Sequence, residues 1–297
     1  MPRLAEIPPL LLRTLEAVGV AALLGLLRLL PLDRSAGLSA FLCRHLGPRL
    51  GISRRALANL HRAFPEKPEA EIQRILRAMW DHHGRVFAEY AHLDSFRLYT
   101  PESRVEVVNP EYVDRLREDG KPGIFFSGHI GNWELASMGV LHRGLPISLI
   151  YRAPNNPFVH RLLRAVRGVA AIELLPKGAK GGKRAIEIMR EGGHLGMLVD
   201  QKMNDGIPVP FFGREAMTAP ALARLALKFD CPVVPTRVER LHGSRFRLTF
   251  YPPLELERSG NTQRDVAHLM ARANKILEDW IRERPEQWLW LHRRWPD

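Results

Sequence analysis

The chain has 297 residues, and its hydrophobic content of 45% is too high for a disordered protein and sufficient for a large buried core. Its formal net charge of +12 favours anionic partners such as anionic lipid, an acidic carrier protein or nucleic acid. Cys43 and Cys231 have no metal-type CxxC spacing, so we expect neither a disulfide framework nor a zinc site. A reducing, cytosol-facing location fits this cysteine usage best.

The N-terminal segment is largely apolar from Pro8 to Leu32, but Arg13, Glu16 and Arg28 interrupt it. Its longest uninterrupted apolar stretch is about half of what a bilayer-spanning helix needs. No small-residue cleavage site of a secretory signal follows it. We therefore predict a helix that lies in the membrane interface or crosses as a short tilted span, with arginines at its ends. A buried helix of the globular domain is the alternative.

The remaining chain is predicted to form one domain over residues 34–297, after a membrane-associated helix in residues 1–33. Residues 34–100 are predicted to be helical, most clearly Glu69 to His92, where apolar residues recur at helical spacing. From residue 101 onwards, short apolar runs alternate with amphipathic helices. Strands are predicted at 123–127, 146–151, 194–200, 232–238 and 245–251, with helices starting near 132, 156, 180, 218 and 262. This alternation predicts an α/β fold with a central, mostly parallel or mixed sheet flanked by helices.

The most informative segment is FFSGHIGNWE at residues 125–134, in which a buried strand leads through a glycine-flanked turn into a helix. His129 follows the strand, and Glu134 lies in the first helical turn. A carboxylate that accepts a hydrogen bond from one ring nitrogen leaves the other nitrogen free as a general base. Such an enzyme activates a hydroxyl of its substrate and needs no serine or cysteine nucleophile of its own.

The HxxxxD/E spacing alone is weak evidence, because about one match is expected by chance in a chain of this composition. His61 with Glu66 and His292 with Asp297 share the spacing. The first pair is predicted at a helix end, and the second lies at the chain terminus, where order is uncertain. Only His129 follows a strand among glycines, and a structural histidine is its alternative interpretation.

Four blocks of sequence together resemble the lipid A biosynthesis acyltransferases, the lauroyl- and myristoyltransferase family within the HxxxxD/E acyltransferase superfamily. The blocks occur in the family's order and are GHIGNWE at 128–134, YRAPNNP at 151–157, VDQK at 199–202 followed by PFFG at 210–213, and PEQWLWLHRRW at 285–295. The resemblance implies acyl transfer without a metal or other cofactor, at the cytoplasmic face of the bacterial inner membrane. It also implies acyl carrier protein as the donor, consistent with the basic charge, and a lipid A precursor as the acceptor.

The resemblance and the predicted sheet suggest a role for each candidate residue. We expect His129 to be the general base and Glu134 to orient it and stabilise the imidazolium. The thioester oxyanion needs hydrogen-bond donors, and Arg152 is the candidate because it also follows a strand; phosphate binding or a structural ion pair is its alternative. Asp200 is predicted at the same sheet edge, where open α/β sheets place their sites, and is a candidate for substrate or oxyanion binding, with a helix or loop cap as its alternative. Asn155 and Gln201 are further candidates for substrate binding.

The C-terminal block has a separate interpretation. Trp288, Trp290 and Trp295 beside Arg293 and Arg294 are typical of a membrane interface or a site for a phosphorylated lipid head group. A place in the protein core is the alternative for the tryptophans.

Two other functions remain open from the sequence. A lysophospholipid or a glycolipid of the phosphatidylinositol mannoside type is a possible alternative acceptor for the same chemistry. A basic, non-enzymatic protein that binds membrane surfaces is the second alternative. Nucleic acid is not an expected partner, because the sequence contains no helix-turn-helix signature, zinc pattern or RNP-type aromatic motif.

Overall fold

The computed structural model describes residues 9–151, 154–166 and 173–295. Its N-terminal part is helical, in agreement with the sequence prediction. The first four helices are α1 (Pro9–Arg28), α2 (Leu32–Leu46), α3 (Ser53–Ala63) and α4 (Glu69–Tyr90). Within α1, the 19-residue segment Leu10–Arg28 is long and apolar enough to cross a membrane by length and composition, and only 11% of its hydrophobic window is buried.

A seven-stranded sheet forms the centre of the α/β part. Its strands are β1 (Val105–Val108), β2 (Gly123–Ser127), β3 (Ile147–Tyr151), β4 (Glu173–Pro176), β5 (His194–Leu198), β8 (Val233–His242) and β9 (Arg245–Phe250). Their order is β1-β9-β8-β2-β5-β3-β4, and every neighbouring pair is parallel except β8 with β9. The predicted fold class is therefore confirmed.

Helices cover the sheet on both faces. They are α5 (Glu111–Glu118), α6 (Glu134–Leu141), α7 (Pro157–Val166), α8 (Ala179–Arg190), α9 (Ala221–Phe229) and α10 (Thr262–Glu283). Every residue of β2 is buried, which explains why its sequence is continuously apolar rather than alternating. Successive side chains of β2 enter different cores, with Ile124 and Phe126 in one cluster and Phe125 in the other.

An additional hairpin lies outside the main sheet and was missing from the sequence prediction. It consists of β6 (Lys202–Phe211) and β7 (Arg214–Thr218), which pair antiparallel. Thr218 ends β7, and α9 begins at Ala221, three residues after the helix start predicted near residue 218. The hydroxyl of Thr218 donates to the carbonyl of Ala216 and accepts from Arg294, and both contacts fix it within the core.

Candidate active site

The loop between β2 and α6 carries His129 and is tightly fixed. Gly131 has a φ of +61°, and a Cβ atom at this position would collide with the carbonyl oxygen of Val238. Only glycine therefore satisfies both the backbone conformation and the close approach. The carbonyl of Gly131 accepts a hydrogen bond from His82 Nε2 at 3.2 Å, which ties the loop to α4.

A buried ion pair is hydrogen-bonded to the same loop. Arg240 on β8 pairs with Glu89 on α4, and neither side chain is more than 8% exposed. Glu89 also accepts a 3.0 Å hydrogen bond from Asn132 in the loop and a 2.8 Å hydrogen bond from Ser244. The buried charges are thus both paired and hydrogen-bonded, which is the condition under which burial of a charge is tolerated.

His129 lies next to Asp200 across two neighbouring strands. Its Nδ1 is 2.8 Å from Asp200 Oδ1, and its backbone N–H donates to Asp200 Oδ2 at 2.8 Å. Because a carboxylate only accepts, the ring proton lies on Nδ1 and the Nε2 lone pair remains available. Gln201 places its side-chain amide 3.4 Å from that Nε2.

The sheet register brings this pair together. Ser127 on β2 is aligned with Leu198 on β5, and each strand is followed two residues later by one member of the pair, His129 or Asp200. Neighbouring strands are about 4.8 Å apart, so side chains at matching positions past the strand ends meet directly. The sequence predicted that Asp200 lies at this edge, but it did not predict the pairing.

Asp200 is completely buried and held in its charged form. Burial by itself would raise the pKa of this carboxyl group. The charge of His129 and its hydrogen bonds, together with the nearby His292, outweigh burial and hold the pKa of Asp200 well below its usual range. Trp288 Nε1 adds a further hydrogen bond to Oδ2 at 2.7 Å.

Glu134 occupies a different position from the one expected. It is the first residue of α6, and its carboxylate accepts a hydrogen bond from the hydroxyl of Tyr90. The Nδ1 of His129, which Glu134 was expected to bind, is bonded to Asp200 instead. Glu134 nevertheless lines the same cavity as His129, so the two residues of the motif face a common space.

That cavity has a volume of about 320 Å³ and extends between α6 and the central strands. Most of the residues in its wall are apolar, including Phe125, Ala136, Leu149, Gly196, Met197 and Leu198. Besides His129 and Glu134, polar groups come from Lys177, Gln201 and the hydroxyl side chains Ser127, Ser137, Tyr151 and Thr236. At Gly196 a Cβ atom would overlap the side chain of Leu149, so the glycine gives Leu149 room to pack against β5. An elongated apolar ligand can therefore lie beside the histidine.

The C-terminal block is part of the core and not a membrane-facing surface. Trp288 and Trp290 are completely buried, and Trp295 is 3% exposed. Arg294 is also completely buried, and it donates to Thr218 Oγ1 at 2.9 Å and to the carbonyl of Met217 at 3.2 Å. The prediction that Arg294 binds a lipid head group was therefore wrong, because no solvent-facing group could reach it.

Burial lowers the pKa of Arg294 to about 10, although the nearby charge of Asp200 partly opposes the shift. Its guanidinium stacks 4.7 Å from the ring centroid of Phe211, a contact that helps to compensate its burial. Arg293, by contrast, is exposed, and for this residue the head-group role stays a prediction.

The remaining candidates from the sequence are Arg152 and Asn155. Arg152 lies outside the described residues. Asn155 is exposed, whereas its neighbour Asn156 is buried and donates to Glu16 on α1 at 2.9 Å. Within residues 9–151, 154–166 and 173–295, no group of three or more His, Cys, Asp or Glu side chains is arranged to hold a metal ion.

Comparison with known proteins identifies relatives over most of the chain. The "Lipid A biosynthesis myristoyltransferase" of Escherichia coli (strain K12) is 29% identical over 282 residues, covering 92% of this chain and 84% of the relative. The "Lipid A biosynthesis lauroyltransferase" of the same organism is 26% identical, covering 87% and 82%. A "Phosphatidylinositol mannoside acyltransferase" of Mycobacterium tuberculosis (strain CDC 1551 / Oshkosh) is 23% identical, covering 86% and 79%.

The family model described as bacterial lipid A biosynthesis acyltransferase matches residues 9–297. This match includes the β2–α6 loop, the cavity and the C-terminal block. The chain therefore belongs to the bacterial lipid A biosynthesis acyltransferase family and is an enzyme that transfers acyl groups.

Proposed function

We propose that this enzyme transfers a fatty acyl group from acyl carrier protein to a hydroxyl of a lipid A precursor in lipopolysaccharide biosynthesis. The observation that supports this most directly is His129, paired with the buried Asp200, in the wall of a mostly apolar cavity. His129, oriented by Asp200, activates the acceptor hydroxyl, and the cavity accommodates the fatty chain. The names of the relatives supply the acceptor class.

The proposed reaction uses a proton shuttle on His129. Nε2 takes the proton of the acceptor hydroxyl while the hydroxyl oxygen attacks the thioester carbonyl. When the tetrahedral intermediate collapses, the carbon–sulfur bond breaks, and the imidazolium returns the proton to the leaving thiolate. Asp200 orients the ring and stabilises the imidazolium, in place of the role first expected for Glu134.

Two other residues keep proposed roles at the reacting centre. Glu134 stands on the cavity wall beside His129, and we assign it to the positioning of the reacting groups. Arg152 remains the candidate donor to the oxyanion, with Asn155 and Gln201 as candidates for substrate binding. No metal or other cofactor takes part in the proposed reaction.

We also propose that the enzyme acts at the bacterial inner membrane, on its cytoplasmic face. The apolar face of α1 is accompanied by a second exposed apolar stripe on α2, formed by Leu38, Phe41, Leu42 and Leu46. Exposed apolar patches of this kind are typical of surfaces that contact a partner or a membrane. Arg34, Arg44 and Arg49 lie exposed beside the stripe, where they can approach anionic head groups.

A glycolipid of the phosphatidylinositol mannoside type is the second candidate acceptor, because relatives with that name also cover most of the chain. It would use the same His129–Asp200 pair. The non-enzymatic alternative is set aside by membership of an acyltransferase family.

The test is transfer of radiolabelled acyl groups from acyl carrier protein to Kdo-bearing tetra-acylated lipid A precursor. His129→Ala should lower the rate by about 10²-fold or more, the usual contribution of a general base. His61→Ala is the matched control, since this exposed histidine has the same HxxxxE spacing but pairs with Glu69 on the surface. It should retain the wild-type rate.

Parallel reactions replace one substrate at a time. Transfer from the coenzyme A thioester at the same rate would overturn the carrier-protein assignment. Transfer to a phosphatidylinositol mannoside but not to the lipid A precursor would move the enzyme to the second candidate. Equal rates for wild type and His129→Ala would refute His129 as the base.

A further inference from the structure

The C-terminal segment 287–289 forms a short strand-like pairing with the loop that carries His129. Trp288 and Ile130 form an antiparallel bridge. The N–H of Gly131 donates to the carbonyl of Gln287 at 3.1 Å, and the N–H of Leu289 donates to the carbonyl of His129 at 3.2 Å. A segment at least 156 positions away in sequence thus fixes the backbone on both sides of Ile130.

The indole of Trp288 has little freedom to move. Its ring is completely buried and packs edge-on against Trp290 at 4.5 Å and His292 at 5.0 Å between centroids. Its one polar atom, Nε1, donates to Asp200 Oδ2 at 2.7 Å. A rigid aromatic ring therefore presents a hydrogen-bond donor at a fixed point beside the carboxylate.

Asp200 is consequently held by three donors. Oδ2 accepts from the Trp288 indole and from the backbone of His129, and Oδ1 accepts from the His129 ring. With Oδ2 doubly occupied, the carboxylate cannot rotate about its last bond without losing hydrogen bonds in a buried site, where such a loss is costly. Oδ1 is thereby directed at Nδ1.

We propose that Trp288 is a positioning residue for acyl transfer, which holds the Asp200 carboxylate so that it orients His129. This inference rests on the proposed general-base role of His129. Trp288 does not line the cavity, so it acts through Asp200 and not by contact with the substrate. Its presence in the buried C-terminal block then follows from the chemistry of the site as well as from packing.

Loss of the indole donor should have an electrostatic signature. Asp200 would keep its charge but share it with one donor fewer, and the imidazolium of His129 would gain stability relative to the neutral ring. The acidic limb of the pH–rate profile should therefore move to higher pH. Among the described residues, the other titratable or charged groups around the pair are Glu134 on α6, His83 on α4, Lys177 after β4, and His292 and Arg294 in the C-terminal segment.

The experiment compares Trp288→Phe with Trp295→Phe. Each substitution keeps an aromatic ring and removes one buried indole hydrogen bond, but the indole of Trp295 donates to the carbonyl of Phe211 and not to Asp200. Trp288→Phe should lower kcat by about 10-fold, as expected for a lost hydrogen bond to a charged group, with KM nearly unchanged. The acidic limb of its pH–rate profile should move to higher pH, and Trp295→Phe should keep the wild-type profile.

The outcomes separate this inference from the proposed function. If wild type transfers acyl groups and His129→Ala does not, yet the two tryptophan variants have the same kcat and pH profile, the positioning role is refuted alone. If wild type and His129→Ala are equal, the proposed function itself fails.

A second measurement does not depend on the folding of Trp288→Phe. In ¹⁵N-labelled protein, Asp200→Asn should move the indole N–H resonance of Trp288 upfield, because the charged acceptor is lost. The indole resonance of Trp295, whose N–H donates to the carbonyl of Phe211, should stay in place. An unmoved Trp288 resonance would overturn the proposal.

Discussion

Two apolar regions of this enzyme lie next to arginines, and they have opposite environments. Near the C-terminus, Trp288, Trp290 and Trp295 are buried, and each indole N–H has an acceptor within the protein. In α2, Phe41 is 59% exposed and Leu46 58% exposed. Apolar residues beside arginines thus do not by themselves indicate a membrane surface.

The two regions differ in whether the rest of the fold supplies hydrogen-bond acceptors and packing partners for them. A buried tryptophan needs an acceptor for its N–H, and the C-terminal block finds Asp200 and two backbone carbonyls. The exposed face of α2 consists of Leu and Phe side chains that have no polar atoms to satisfy. Such a face gains stability only by contact with another apolar surface.

The largest expected difference between the two regions is in how much they contribute to the free energy of unfolding. Trp290→Ala should lower the free energy of unfolding by about 3–5 kcal/mol, because it leaves a cavity in the core. Phe41→Ala should change it by less than about 0.5 kcal/mol, as is usual at exposed positions. Urea denaturation of both variants in detergent measures the difference. Equal losses would show that the two regions are packed alike.

Contact of α2 with a membrane can be tested by the reactivity of a cysteine introduced on its exposed face. In a Cys43→Ser, Cys231→Ser background, a cysteine introduced by Phe41→Cys should react with a membrane-impermeant maleimide about 10-fold more slowly in anionic vesicles than in detergent-free buffer. The control is Glu118→Cys on α5, whose side chain is 69% exposed and should react equally in both. Equal reactivity of the α2 cysteine with and without vesicles would contradict membrane contact.

The two regions should also differ in their response to acid. Burial is the main cause that lowers the pKa of His292 to about 4, despite the opposing charge of Asp200. A histidine whose pKa is lowered on folding stabilises the protein fully above about pH 6.5, and this contribution declines as the pH falls towards 4.

Its replacement should therefore flatten the pH dependence of stability. Between pH 6 and pH 4, His292→Gln should reduce the slope of the unfolding free energy by up to about 1.4 kcal/mol per pH unit. Urea titrations of wild type and His292→Gln at several pH values measure both slopes, and an unchanged slope in His292→Gln would contradict the effect of burial.

The cavity is a third apolar surface, and we expect the acyl chain to fill it. Gly196→Ala should displace Leu149 into the cavity and shift the preference towards shorter acyl donors, by about 4-fold in kcat/KM per methylene excluded. Gly182→Ala, on α8 and with open space around it, should leave the preference unchanged. Competition between carrier-bound acyl chains of different lengths measures the shift. An unaltered preference would place the chain elsewhere.

The sequence predicted the strand–turn–helix that carries His129, because a continuously buried strand and an obligatory Gly131 leave clear local signals. It did not predict the partner of His129. Asp200 is 71 positions away, and its pairing depends on the order and register of β2 and β5, which no local pattern specifies. A carboxylate five residues away was the only partner that local spacing could suggest.

The other differences between the prediction and the structure have local causes in one case and long-range causes in the other. The β6–β7 hairpin was missed because β6 contains Pro208 and Pro210 and an exposed polar start, features that usually argue against a strand. The role of the C-terminal tryptophans was missed because their acceptors come from distant segments. The family resemblance, and not the periodicity, carried the prediction of acyl transfer.

The most direct test of the account is the acyl-transfer rate of Asp200→Asn beside Glu134→Gln, with thermal unfolding to show that both variants are folded. If Asp200 orients His129, Asp200→Asn should lower kcat by about 10²-fold or more with little change in KM. A wild-type rate in Asp200→Asn, together with a loss of that size in Glu134→Gln, would contradict the account and return the orienting role to Glu134.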